Sequence, residues 1–114
     1  MYLTIFQSIE KCHLLHFYYD GYFRVVEPHA YGIDRRGRNV LYGFQIAGTD
    51  LFGRHRGWKC YVVDRIECLH ALDAHFLGPH VGYKGSAVTH NWQRLYAEIK
   101  GCHPAPPLDR PLEA

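Results

Sequence analysis

Arg24, Glu27 and His29 lie close together in "YFRVVEPHAYGID", a strand-forming run interrupted by Pro28. A guanidinium fork, a carboxylate and an imidazole are the groups from which anion recognition and proton transfer are built. Arg24 either stacks on a neighbouring ring for stability or offers its fork to a phosphate or carboxylate. Glu27 is expected to pair with Arg65 in a structural salt bridge at a strand bend, with direct ligand contact as the alternative. His29 is one of nine histidines, so packing is its first reading and ligand contact its second.

Two basic clusters follow. Arg35, Arg36 and Arg38 stand in "DRRGRN", and Arg54, His55, Arg56 and Lys59 in "GRHRGWK". The strand between them has roughly seven residues at about 3.3 Å each, which separates the clusters by about 20 Å. They are either solvated loop charge or two positive ends of one groove suited to an extended polyanion such as single-stranded nucleic acid. Tyr31, Tyr42 and Phe44, in the strands flanking the first cluster, supply either stacking surfaces or core.

Motifs for catalysis are missing. The chain has no Gly-rich phosphate loop ahead of a helix, no nucleophile elbow and no His-Glu-x-x-His, and its serines are Ser8 and Ser86. The scattered cysteines and histidines lack the paired spacing of a zinc site. A non-enzymatic protein with no metal and no cofactor is expected.

The elements that must position these residues are legible from pattern. Thr4 and Gln7 suggest a capping box, and Ile5, Ile9 and Cys12 recur at helical spacing, which predicts a short N-terminal helix. Leu15, Phe17 and Tyr19 alternate up to Asp20-Gly21, a dipeptide that favours the left-handed angles of a type I′ turn. A two-residue turn there sets Tyr19 opposite Tyr22, Phe17 opposite Arg24 and Leu15 opposite Val26. Pro28 cannot donate a ladder hydrogen bond, so its strand must bend at an edge or a bulge.

Gly37 marks the next turn, "VLYGFQIAG" a third strand, and "WKCYVVDRIECLHAL" one or two more. Trp92, Leu95, Tyr96 and Ile99 fall at i, i+3, i+4 and i+7 ahead of Gly101, which predicts an amphipathic C-terminal helix. The expectation is a mainly β domain of about five strands with flanking helices over residues 1–101. Residues 102–114, rich in proline, are expected to be a disordered tail.

Composition sets the frame. At 114 residues the chain suits one domain, and a formal charge of +2 does not by itself mark a nucleic-acid binder. Cys12, Cys60, Cys68 and Cys102 include no C-x-x-C pair and read as reduced core thiols. With no basic flank leading into a long apolar run, neither a signal peptide nor a membrane span is expected, and the cytoplasm is the expected location.

"LLHFYYDGYFRVVEPHAYGI", "LYGFQ" and "VVDRIECL" resemble the WYL domain of bacteria and their phages over roughly residues 5–83, most closely short members without the helix-turn-helix. Arg24, Glu27, Pro28 and His29 match the family's second-strand motif, and Asp64, Arg65 and Ile66 its "D-R-I" ending. The signature tripeptide falls on Asn39, Val40 and Leu41, keeping only the leucine, and Val62 stands where a basic residue is usual. The resemblance implies a small Sm-like or SH3-like barrel with a helix at its N-terminal side. It also implies a sensing module that regulates transcription, often near DNA-damage or phage-defence genes.

The expected ligand-binding set is Arg24, Glu27, His29, Arg65 and Tyr42, and the expected nucleic-acid set is Arg35, Arg36, Arg38, Arg54, Arg56 and Lys59. The partners would be an anionic ligand, nucleotide or single strand, with a homo-oligomer or a regulatory protein beside it. A protein-interaction or dimerisation module with a structural Arg24 is the competing expectation.

Overall fold

A computed structural model describes residues 2–100 of the chain. Gly101 and the proline-rich 102–114 stretch lie outside the described residues. Helix α1 (Tyr2–Lys11) is followed by strands β1 (His13–Tyr19), β2 (Tyr22–Asp34), β3 (Asn39–Gly48) and β4 (Gly57–Val62). A 3-10 turn at Val63–Arg65 leads to β5 (Glu67–His75), a one-turn helix α2 (Ser86–Thr89) and β6 (Trp92–Glu98). All pairings are antiparallel, in an open sheet ordered β4-β3-β2-β1-β5 with β6 added to β2. No described helix is long and apolar enough to cross a membrane.

The N-terminal helix forms where expected but starts earlier, so Thr4 and Gln7 lie inside it rather than capping it. Ile5 and Ile9, one turn apart, are fully buried against the sheet with Leu15, Phe17, Val26, Leu41 and Tyr61. Each such aliphatic side chain contributes about 1.5–3 kcal/mol of apolar burial. The helix ends at Cys12, whose φ of 55° places it in the left-handed region. Cys12 is disulfide-bonded, which corrects the expectation of four reduced thiols; Cys60 and Cys68 are free and exposed.

The β1–β2 hairpin has the predicted register: Tyr19 opposite Tyr22, Phe17 opposite Arg24 and Leu15 opposite Val26. Asp20 (φ 54°) and Gly21 (φ 80°) both adopt the left-handed angles a type I′ turn demands. Pro28 sits where β2 changes neighbours. Up to Val26 it pairs with β1, from Ala30 it pairs with β6, and its ladder with β3 slips between Pro28 and Ala30. That slip changes which residues face the core: Val26 is inward before it and Tyr31, opposite Leu41, after it.

The C-terminal element is a strand, not the predicted amphipathic helix. The second half of β2 extends beyond β1 and leaves a row of backbone groups to satisfy, and β6 satisfies them from Ala30 to Asp34. Gly32 makes the close approach possible, because a Cβ there would stand 2.2 Å from the Arg94 carbonyl oxygen. The sheet therefore has six strands rather than about five.

Candidate functional site

Arg24 lies at the floor of a cleft of about 410 Å³ bounded by the β1–β2 turn, β4 and the loop joining β3 to β4. The residue is only 3% exposed, yet no carboxylate among the described residues pairs with it. Nη2 donates to the Tyr19 carbonyl at 3.0 Å, and Nη1 reaches Gln45 Oε1 at 3.5 Å. The guanidinium carbon lies 5.3 Å from the Tyr19 ring centre and 5.8 Å from that of Tyr61. Nε has no partner. Burying a cation is costly unless it is paired, and stacking plus neutral oxygens offset only part of that cost.

The neighbours are fixed in turn. Tyr61 donates to Gln45 Oε1 at 2.8 Å, and Gln45 Nε2 donates to the His55 carbonyl at 3.3 Å. Burial pushes the Tyr61 phenol well above its ordinary value against the opposing pull of Arg24, so it remains a donor. Tyr19 accepts the Val62 N–H on its hydroxyl at 2.9 Å, which pins β4 to the hairpin end. Arg65 pairs with Asp20 and lies 4.8 Å from the Tyr19 ring centre, so Arg24 and Arg65 share one ring.

The second basic cluster lines the same cleft but is partly neutralised. Asp50 accepts from the backbone of Phe52 and Arg54, from Arg54 Nε and from Lys59 Nζ, each within 2.9 Å. The Lys59 ammonium, and then these other donors, hold the Asp50 carboxyl far below its ordinary value against the effect of burial. Arg56 donates to the Ile46 carbonyl at 3.0 Å and lies over Phe44. Phe52, 80% exposed, stands at the loop tip with Arg54 against its ring.

The first cluster is elsewhere. β3 runs between the Asp34 and Asp50 turns, and none of Arg35, Arg36 and Arg38 lines the Arg24 cleft. Arg38 is occupied by Asp34, which also accepts the Arg36 and Arg38 backbone N–H groups. Burial pushes the Asp34 carboxyl up, but these donors outweigh it and hold it at about 2. Arg35, Arg36 and Arg38 thus do not join Arg54, Arg56 and Lys59 in one patch.

Glu27, His29 and Tyr42 face away from Arg24, on the other side of the sheet. Glu27 pairs with His80 at 2.8 Å, which corrects the expected Glu27–Arg65 bridge: Arg65 is held at the hairpin tip by Asp20. His29 is fully buried against Trp58, Phe76 and Tyr83. Its Nδ1–H donates to the Glu27 carbonyl at 2.8 Å and its Nε2 accepts the His80 N–H at 2.9 Å, which fixes the tautomer. Burial lowers its pKa to about 4. Tyr42 stacks on Trp58 at 5.2 Å, and Tyr31 packs between Tyr2 and Tyr96.

Asp50, Gln45, Trp58 and Tyr61 escaped notice in the sequence although they shape the cleft. One signal was present: "DRRGR" and "DLFGR" share the pattern Asp-x-x-Gly-Arg, and both fold into the same carboxylate-centred turn. Among the described residues no three His, Cys, Asp or Glu side chains converge to hold a metal. Comparison with protein-family models, with curated proteins and with solved structures returned no match.

Proposed function

We propose that this chain is a WYL-like sensing module that binds an anionic ligand, a nucleotide or a short single strand, in the Arg24 cleft and acts by regulation rather than catalysis. The observation that carries this reading is a buried guanidinium that lines an open cleft and has no carboxylate partner among the described residues. An incoming phosphate would supply the negative charge that the fold withholds, through a bidentate fork that a lysine cannot reproduce. Arg56 and the Arg54–Lys59–Asp50 group line the entrance, where they would draw an anion in. The bent β2, shared between β1 and β6, supports a small Sm-like or SH3-like architecture as the finer description of the sheet. A cytoplasmic location belongs to the same proposal.

Calorimetric titration with nucleotides and short oligonucleotides tests it. Wild type should bind with salt-dependent affinity, Arg24→Ala should lose binding at little cost in stability, and Arg24→Lys should recover part of it. No binding by wild type, together with a loss of about 2 kcal/mol or of a dimer in Arg24→Ala, would reject the reading.

One observation favours a second reading. Tyr18, Tyr22 and Phe23 are 37–44% exposed on the β1–β2 hairpin, with His16 against Phe23. An exposed aromatic group of this kind suits a protein interface, with Arg24 then serving only as a stacking residue. Sedimentation of Phe23→Ser against wild type separates the two, because only an interface role predicts a change in oligomeric state.

A further inference from the structure

Cys60, His90 and Asp34 form a row on the side of the sheet away from α1. Cys60 is an exposed residue of β4 opposite Tyr42 of β3. Its Sγ lies 3.6 Å from His90 Nδ1, while His90 Nε2 lies 3.5 Å from Asp34 Oδ2. Nε2 is buried and, among the described residues, makes no hydrogen bond and faces that carboxylate at ion-pair distance. Trp92 meets the imidazole edge to face at 5.1 Å and holds its plane. Asp34, 2% exposed and fixed by its turn, is a permanent negative charge.

We propose that Cys60 is a site of covalent modification by small disulfides, with His90 as the base that takes its proton and Asp34 as the carboxylate that stabilises the resulting imidazolium. The order is that of an activated nucleophile: thiol, imidazole, orienting acid. Sγ is partly desolvated, which pushes the thiol up to about 11, with Arg38 opposing and Asp34 adding to the rise. Cys60 therefore keeps its proton at neutral pH and needs a base at the moment of attack. His90 Nδ1 is the base in position, and the charges facing the pair are Asp34 and Arg38, with the Tyr42 phenol beside the sulfur.

The step balances. Sγ bonds to one sulfur of the incoming disulfide, whose own S–S bond breaks, and the thiol proton passes through His90 to the departing sulfur. A separation of 3.5 Å to Asp34 is long for a resting hydrogen bond and shortens when the ring becomes charged.

The test uses dithiodipyridine as the small disulfide and follows the released thiopyridone. The double variant Cys60→Ser, Cys68→Ser records the signal of any other cysteine; above that background Cys68→Ser reports Cys60, and Cys60→Ser reports the exposed Cys68 as an internal reference. At pH 7 Cys60 should react about tenfold or more faster than Cys68. His90→Gln should remove that advantage, and added imidazole should restore part of it in His90→Gly. Equal rates for the two thiols, or an unchanged Cys60 rate in His90→Gln, would overturn the proposal. If circular dichroism shows the His90 variants unfolded, the wild-type pH profile decides. A Cys60 rate that levels off below about pH 8, where an ordinary thiol is still ionising, supports it, and one rising steadily through that range overturns it.

Discussion

Tyr19 holds Arg24 twice, accepting a hydrogen bond from Nη2 on its carbonyl at 3.0 Å and facing the guanidinium with its ring at 5.3 Å. Its hydroxyl has a separate task, accepting from Val62 N–H. Tyr19→Phe should therefore cost about 1 kcal/mol of stability through the orphaned N–H while leaving anion affinity unchanged. Tyr19→Leu should weaken binding as well. Urea titration and calorimetry on the two variants check the split.

His29 predicts a pH dependence. Its pKa is lowered from 6.5 to about 4, chiefly by burial, with the Glu27 carbonyl opposing and His80 adding to the fall. Between those values the unfolded chain binds the proton and the folded one does not, so this group removes stability as pH drops from about 6.5 to about 4. The loss is at most about 3 kcal/mol. Denaturation of wild type and His29→Gln across that range should show a shallower decline in the variant. Parallel curves would show that His29 does not carry the effect.

Gly32 and Gly21 should fail for different reasons. At Gly32 a Cβ collides with the Arg94 carbonyl at 2.2 Å, so Gly32→Ala should cost about 2 kcal/mol or more and speed hydrogen exchange along β6. At Gly21 nothing lies within 4 Å of a Cβ, but φ is 80°, so Gly21→Val should cost about 1–2 kcal/mol through the backbone alone. Exchange in β6 should then stay protected. Protection in β6 that survives Gly32→Ala would argue against the close approach of β6 to β2.

The two basic clusters should separate in binding. Arg56 lines the cleft with Arg24, whereas Arg35 and Arg36 sit in the turn before β3 and do not line it. Arg56→Gln should weaken nucleotide binding severalfold, and the double Arg35→Gln, Arg36→Gln variant should leave it unchanged. A longer oligonucleotide that becomes sensitive to the double variant would show that it spans both ends of the strand, with a salt slope lower by roughly 0.7 for each phosphate no longer neutralised.

Short-range chemistry was readable in the sequence and long-range chemistry was not. Asp20-Gly21 fixed the hairpin register because a two-residue turn leaves one alignment open, and Pro28 announced a bend because it lacks a donor. Trp92, Leu95, Tyr96 and Ile99 misled because register slips beside Gly32 and Ile33 break the alternation expected of β6 and leave a spacing that mimics a helix. His80 stands 51 residues beyond His29 in the chain, so no local pattern could announce their hydrogen bond. Arg24 was found on its face through the hairpin register, but its unpartnered Nε depends on four strands meeting.

The paired Asp-x-x-Gly-Arg turns at the two ends of β3 have a consequence for how this surface can change. Each turn closes its own hydrogen bonds through aspartate, glycine and arginine, so the two side chains between carry no part of the closure. In one turn those residues are Arg35 and Arg36, in the other Leu51 and Phe52. The turns are interchangeable sockets, and moving an arginine pair into the cleft rim or a greasy pair out of it alters what the rim attracts while the sheet beneath stays as it was.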